Sequence, residues 1–244
     1  MKTTTSEVVE GVILKKTPYK ENDMILHVYT KDFGKIGILA RGVRKMTSKN
    51  ARAVQEMMIS EFEISLKKGL STLIKATPLH YLRHIKESIE YEIVGNYILE
   101  YYYRYIEENK PSYNDYQMLI SSLKALDEGY SYLLVYIFFQ VYILQSNGID
   151  IEVDGCVKCG DSKVVSISIE DGGFVCASHF NHSKLYSKET LQAFRHFHKL
   201  TIHEIDQFHV SDDVLKEIIS IHEYYIHEYA GISLKSLTFI KQIV

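Results

Sequence analysis

The chain has 244 residues, of which 46% are hydrophobic and 24% charged, with a formal net charge of −3; this is typical of a globular protein with one large domain or two smaller ones. Its three cysteines, an odd number, argue against a disulfide framework and favour reduced thiols in a cytoplasmic protein. The longest apolar stretch, residues 130–144, is shorter than the roughly 18–20 residues of a membrane span, and residues 1–11 lack the apolar core of a signal peptide, so we expect no membrane partner.

Charge is distributed unevenly along the chain. Residues 1–80 carry 14 basic and 8 acidic side chains, whereas the remaining 164 residues carry 14 and 23. A basic N-terminal part on an acidic body predicts that only the first part contacts a polyanion.

The first part of the chain has the pattern of β-strands. The runs that are rich in β-branched residues or alternate with a period of two are residues 8–14, 24–29, 36–43, 58–66 and 70–76. Glycine-containing turns such as Phe33-Gly34-Lys35 separate them. Five short strands in this arrangement are typical of a small closed barrel such as the OB-fold.

Helical spacing begins beyond Leu82. Apolar residues recurring at three to four positions predict an amphipathic helix over residues 86–108, followed by helices over 114–127 and 130–145. Ser187 and Ser211 are N-cap candidates for two further helices, the second ended by Gly231.

These patterns predict an α+β multidomain chain. We expect a basic, DNA-binding OB-fold β-barrel at residues 1–80 and an α-helical domain at residues 81–149 and 183–244. A zinc-knuckle module is inserted between the two helical segments at residues 150–182.

The inserted module carries a metal-ligand pattern. Cys156-x-x-Cys159 is followed after 16 intervening residues by Cys176-x-x-His179, and two such pairs at this separation are typical of a structural zinc site. Three thiolates and one imidazole would hold the ion in a tetrahedron. His182 is an alternative fourth ligand. Because four ligands leave no open position, we expect the zinc to be structural rather than catalytic.

A basic stretch without acidic residues marks the candidate nucleic-acid surface. It contains Lys35, Arg41, Arg44, Lys45, Lys49 and Arg52. In an OB-fold, such a stretch at a strand end and in the following loop borders the groove that holds single strands through their phosphates. Tyr29 and Phe33 are possible platforms for base stacking, although either is equally compatible with the core.

The same segment resembles the RecO family of bacterial recombination mediators. The resemblance lies in Gly34-Lys35 through Ala40-Arg41-Gly42-Val43-Arg44-Lys45 with Ser48, in the earlier turn Tyr19-Lys20-Glu21-Asn22-Asp23, and in the Cys156-x-x-Cys159 pair with its glycine hairpin. His179 stands where many zinc-binding members have a fourth cysteine.

The resemblance implies a function. Members of this family bind single- and double-stranded DNA and anneal complementary strands, including strands coated by single-strand binding protein (SSB). With RecR, and in some pathways RecF, they help RecA to load onto SSB-coated gaps. The resemblance therefore implies DNA, RecR, the C-terminal tail of SSB and RecA as partners, and a bacterial, nucleoid-associated protein. For the SSB tail we expect a basic and apolar pocket on the helical body.

Enzyme classes are not supported by the motifs. Gly37-x₄-Gly42 begins like a phosphate loop, but Val43-Arg44 follows where lysine and serine or threonine are required. His222 and His227 are five residues apart, so on a helix their rings point about 140° apart and cannot share an ion. We expect both histidines at the surface or at its boundary, and a protein that is not an enzyme.

Two other non-enzymatic functions compete with DNA binding by the barrel. A zinc-ribbon adaptor would concentrate basic residues in the cysteine module, where only Lys158 and Lys163 stand against Glu170 and Asp171. The remaining alternative is a zinc-containing scaffold that uses its OB-fold as a protein-binding module.

Overall fold

The computed structural model describes residues 6–181 and 184–244. Within these residues the strands are β1 (Ser6–Tyr19), β2 (Asp23–Thr30), β3 (Gly34–Ala40), β4 (Ile59–Ser65), β5 (Leu70–His80), β6 (Val164–Ser168) and β7 (Gly173–Cys176). The α-helices are α1 (Ile89–Tyr105), α2 (Tyr113–Asp127), α3 (Tyr132–Ser146), α4 (Lys188–Lys199), α5 (Asp212–Tyr225) and α6 (Leu237–Ile240).

The first five strands form a closed barrel in the order β1-β2-β3-β5-β4. All neighbours are antiparallel except β3 and β5, which are parallel. Strand β1 closes the barrel because its first half pairs with β4 and its second half with β2. The register shifts between Ile13 and Lys15, and such a bulge bends a strand so that it can serve both neighbours. The prediction of an OB-like barrel followed by helices is confirmed.

The chain packs as two compact units. The first contains residues 6–128 and 234–243, and the second contains residues 129–233. The first unit therefore holds the barrel with α1, α2 and α6, and the second holds α3, α4, α5 and the β6–β7 hairpin. The predicted domain boundaries stay a prediction, because a packing unit is not by itself an independently folding domain.

Tyrosines join the barrel to α1 and α2. The ring of Tyr29, on β2, lies 5.2 Å from the ring of Tyr102 on α1, and its hydroxyl donates to Asp115. Tyr116 on α2 donates to the Glu10 carboxylate on β1 at 2.7 Å. These hydroxyls allow aromatic rings to be buried without leaving their polar ends unpaired.

The start of β3 packs tightly against the connection between α1 and α2. The Asn109 backbone N–H donates to the Lys35 carbonyl at 3.0 Å. Gly34 has a φ of +65°, and a Cβ placed there would lie 2.4 Å from the Lys110 carbonyl oxygen. Glycine is required here for both its backbone conformation and its lack of a side chain.

We expect Gly34→Ala to destabilise the protein more than Gly42→Ala. Gly42 has a similar φ of +62°, but a Cβ there would meet only the flexible side chain of Lys45 at 3.7 Å. Both variants pay for the left-handed backbone, whereas only Gly34→Ala must also displace backbone atoms, a further loss on the order of 2 kcal/mol. Urea denaturation of both variants measures the difference. Equal losses would contradict the close packing at Gly34.

Helix α3 is buried on nearly all its faces, which explains the predominantly apolar sequence at residues 130–144, interrupted by Ser131 and Gln140. In the part of the chain that the structure describes, none of the helices combines the length and hydropathy needed to cross a membrane.

Helix α5 continues into a π-helical turn, Ile226–Ala230, and ends at Gly231 with a φ of +62°. The prediction that glycine ends this helix is confirmed.

A fully buried histidine, His222, and a half-buried one, His198, connect α4 and α5. His198 Nε2 lies 3.0 Å from His222 Nε2, and the ring of Phe194 packs 4.7 and 5.0 Å from the two imidazoles. The expectation of a surface or boundary position was therefore wrong for His222, which is fully buried, because it lies on the α5 face that packs against α4. Burial lowers the pKa of His198 to about 4, assisted by Lys199, and lowers the pKa of His222 well below its usual value, assisted by His198.

This pair predicts acid sensitivity. Because the folded-state pKa values lie below the unfolded value, the unfolded chain binds more protons, and stability is lost as the pH falls from about 6.5 towards 4. For His198 alone the loss is about 3 kcal/mol. We expect His222→Gln to reduce the dependence of the free energy of unfolding on pH in this range. His203→Gln, at an exposed position, should leave it unchanged, and equal curves for all three proteins would refute the prediction.

Candidate nucleic-acid interface and metal centre

The connection from β3 to β4 carries most of the predicted basic stretch and is a series of hydrogen-bonded turns. Backbone N–H groups of Lys45 and Ser48 donate to the carbonyls of Gly42 and Lys45 at 3.1 and 2.9 Å. Val43, Ala53 and Val54 are buried in the barrel core. Apolar residues near both ends therefore fix the connection to the barrel.

Polar side chains hold the same connection from two sides. Asn50 accepts the Ala76 backbone N–H at 3.0 Å and donates to the Ile74 carbonyl at 3.4 Å, both on β5. On the other side, Asp23 at the start of β2 accepts the Gly42 backbone N–H at 2.7 Å. The connection is thus held between β5 and the β1–β2 turn.

Five of the six predicted DNA-binding residues project from this connection into solvent: Arg41, Arg44, Lys45, Lys49 and Arg52. Across residues 6–181 and 184–244, none of the five forms an ion pair. Arg44 also donates to the Glu21 carbonyl at 3.1 Å, which ties it to the β1–β2 turn. We name this set of five cations the basic loop.

The structure separates Lys35 from the basic loop. Lys35 lies at the start of β3, whereas the basic loop follows its end. Its side chain is buried, with a total exposure of 7% for the residue, and its ammonium donates to the Tyr103 carbonyl at 2.7 Å. Burial lowers the pKa of Lys35, with Glu108 acting in the opposite direction. Lys35 therefore supports the packing of α1 on the barrel.

The two aromatic side chains considered for base stacking differ in burial. Tyr29 is fully buried between the barrel and the helices, so it belongs to the core. Phe33 is half-buried and packs against the barrel core.

Two exposed cations near the basic loop were missed by the sequence analysis. Lys75 precedes Ala76, whose N–H is bound by Asn50, and Lys20 lies in the β1–β2 turn beside Glu21. Both are exposed but stand outside the uninterrupted basic stretch. The barrel topology was the signal that could have found them, because it places the β1–β2 turn and the β3–β4 connection at the same end.

The cysteine module brings its four predicted ligands together. The potential donor atoms of Cys156, Cys159, Cys176 and His179 lie within 4.8 Å of one another. The distances are 3.8 Å between the sulfur atoms of Cys159 and Cys176, and 3.5 and 3.3 Å from His179 Nδ1 to those of Cys156 and Cys176. His182, the alternative ligand, lies outside the described residues.

These distances fit a tetrahedral metal site. With metal–sulfur bonds of about 2.3 Å and metal–nitrogen bonds of about 2.0–2.1 Å, two sulfurs lie about 3.8 Å apart and a sulfur and a nitrogen about 3.5 Å apart. Burial opposes ionisation of Cys156, but backbone N–H groups of Cys176, Lys158 and Cys159 outweigh it and lower the pKa of this thiol. The module can therefore present a thiolate to a cation near neutral pH, and the four residues can form a zinc site.

A short hairpin positions these ligands. Strands β6 and β7 pair antiparallel, and the Val157 backbone N–H donates to the Phe174 carbonyl at 2.8 Å, which joins the first cysteine pair to β7. The local apolar cluster consists of Cys156, Val175 and Cys176, with Val157 against it. A cluster of this size gives the module little hydrophobic stabilisation of its own.

Comparisons with known proteins agree with both parts of the structure. A family model described as "Recombination protein O N terminal" matches residues 1–82, and one described as "Recombination protein O C terminal" matches residues 86–238. The chain belongs to the RecO family. A protein named DNA repair protein RecO from Bacillus pumilus (strain SAFR-032) is 31% identical over 238 residues, covering 96% of this chain and 93% of the relative. The protein of the same name from Bacillus mycoides (strain KBAB4) is 27% identical over 239 residues, covering 96% of each chain.

Proposed function

We propose that this RecO family member is a non-enzymatic recombination mediator that binds single- and double-stranded DNA through the basic loop. The observation that carries the proposal is a set of five exposed cations on a connection fixed to an OB-like barrel, none of which pairs with a carboxylate of the described residues. Cations that no carboxylate neutralises are available to bind phosphates. Because their positions are fixed, they can contact successive phosphates of a DNA strand whatever its base sequence.

The remaining steps of the proposal come from the family. In it, the bound strands are annealed, including strands coated by SSB, and RecA is loaded onto them with the help of RecR. Such a protein works where the chromosome lies, in the cytoplasm and in association with the nucleoid.

A groove in the first unit supports the proposed contact with the SSB tail. It has a volume of about 750 Å³, and β1, α1 and the α6 region contribute to its lining. Apolar and basic residues line it together: Leu14, Ile93, Leu99, Phe239, Lys15, Arg104 and Lys235. Glutamates also line it, but Glu100 already accepts hydrogen bonds from Lys235 and Ser236.

Lys235→Glu should weaken binding of a fluorescent SSB-tail peptide, and unchanged affinity would exclude this groove.

We further propose that the Cys156, Cys159, Cys176 and His179 site holds a structural zinc ion. The tetrahedral spacing and the thiolate-rich donor set support zinc, and the small local core supports a structural role. When bound, the ion would supply the cross-link that holds the two turns together.

The DNA proposal predicts a specific dependence on salt. Five phosphate contacts give a log–log slope of about −3.5 for single-strand affinity against salt concentration, and removing two contacts should reduce its magnitude by about 1.4. We expect this reduction for Arg41→Ala with Arg44→Ala, measured by fluorescence anisotropy. The matched control is Lys67→Ala with Lys68→Ala, which removes the same charge from the β4–β5 turn, at the opposite end of the barrel.

The outcomes distinguish the alternatives. If only the arginine double variant loses affinity for single strands, DNA contact by the basic loop is supported. If the same variant also fails to anneal SSB-coated complementary oligonucleotides, the support extends to the mediator function. Equal losses of affinity in both double variants would mean that the net charge of the protein, and not the position of the basic loop, determines DNA binding. Absence of DNA binding by the wild-type protein would favour the protein-binding scaffold instead.

The zinc proposal predicts near one equivalent of zinc by elemental analysis. We expect Cys156→Ser and His179→Ala to release zinc and lower the melting temperature, because ligand bonds would supplement a small local hydrophobic core. His179→Cys should retain the ion, since a four-cysteine set also suits zinc, and the exposed Ser178→Ala is the neutral control. Metal-free protein of undiminished stability would contradict the site.

A further inference from the structure

A fully exposed methionine stands inside the basic loop. The Met46 side chain has a relative exposure of 104%, and it follows the exposed Arg44 and Lys45. The anchors on both sides of it, Val43 and Asn50, are fixed to the barrel. The connection therefore places an unpacked apolar side chain among cations at a defined position.

An exposed tyrosine lies on the neighbouring turn. Tyr19 ends β1 and is 41% exposed; it pairs with Asp23, whose carboxylate accepts the Gly42 N–H of the connection. The Lys20 ammonium lies 5.4 Å from the centre of the Tyr19 ring. Arg44 also donates to the Glu21 carbonyl of the same turn. Two hydrogen bonds therefore join the turn that carries Tyr19 to the connection that carries Met46.

Exposed apolar groups beside cations have a specific use in binding nucleic acid. Phosphates neutralise the cations, and the flat faces of bases offer the apolar partner that water does not. An aromatic ring can stack on any base, and a thioether packs well against aromatic surfaces. In a duplex, pairing and stacking hide the base faces, so such contacts favour single strands.

We propose that Tyr19 and Met46 contact the unpaired bases of a single strand whose phosphates lie on Arg44 and its basic neighbours. This inference rests on the proposed DNA-binding function and adds to it the source of a preference for single strands. Single exposed apolar residues are common on protein surfaces. The difference here is that the turn carrying Tyr19 is hydrogen-bonded to the connection carrying Met46, and that Arg44 makes one of these hydrogen bonds.

The test separates base contacts from phosphate contacts. Affinities are measured for a thymidine 20-mer, for a 20-mer of abasic sugar phosphates and for a duplex of the same length. We expect Tyr19→Ser to weaken binding of the thymidine strand about fivefold or more, the lower end of what one stacked base contributes. Met46→Ser should weaken it in the same direction. Both should leave the abasic strand, the duplex and the salt slope unchanged.

Control variants define the cause. Tyr19→Phe keeps the ring and should retain wild-type affinity. Tyr113→Ser removes a tyrosine on α2 that is even more exposed than Tyr19 and lies near Pro111 and the opposite end of the barrel, and it should have no effect. Thermal melting of each variant verifies that the protein remains folded, which both exposed positions permit.

The two proposals fail differently. If the wild-type protein binds no DNA, the proposed function and this inference are both overturned. If it binds DNA, but Tyr19→Ser and Met46→Ser retain wild-type affinity for the thymidine strand, only the base contacts are overturned. Equal wild-type affinity for thymidine and abasic strands would also overturn the base contacts and leave the phosphate contacts standing.

Discussion

The proposed interface depends on the fixation of the β3–β4 connection to the barrel. Ordering a residue costs about 1–2 kcal/mol of backbone entropy, and residues 41–58 contain no strand or helix that would offset it. Buried Val43, Ala53 and Val54, together with the hydrogen bonds of Asn50, supply the compensation. These anchors carry no charge, and the exposed positions between them carry the cations. The Asp23 carboxylate at the start of β2 holds the Gly42 backbone N–H from the other side.

Barrel topology decides which charges act together. Successive antiparallel strands send the β1–β2 turn and the β3–β4 connection to one end, and the β2–β3 and β4–β5 turns to the other. Residues that are close in sequence can therefore lie at opposite ends, as Lys35 and Arg41 do on either side of β3. Conversely, Arg44 donates to the carbonyl of Glu21, which lies 23 positions earlier in the sequence and directly follows Lys20. A linear window of charge is only a first approximation to a binding surface.

Those features of the fold that leave a periodic pattern of apolar residues in the sequence could be predicted from it. The alternation of β4 follows from burial on one face, and the predominantly apolar sequence of α3 follows from burial on nearly every face. Periodicity does not tell whether an outward side chain on a strand meets solvent or a helix. Tyr29 points away from the barrel core and is nevertheless buried by α1 and α2. For the same reason the sequence did not reveal that His222 would be enclosed by α4.

The spacing of the cysteines predicted the geometry of their module more accurately, because ligands that are close in sequence form each half of the site. Each pair of ligands lies three residues apart, so a tight turn brings both members to one side whatever the rest of the fold does. Cys156 and Cys176 are also half of the residues in and against the local apolar cluster. Binding of the proposed zinc ion would then be coupled to folding of the module, since the ligands converge only when the hairpin forms. The basic loop needs no such partner: its anchors belong to the barrel core, so its geometry precedes any ligand.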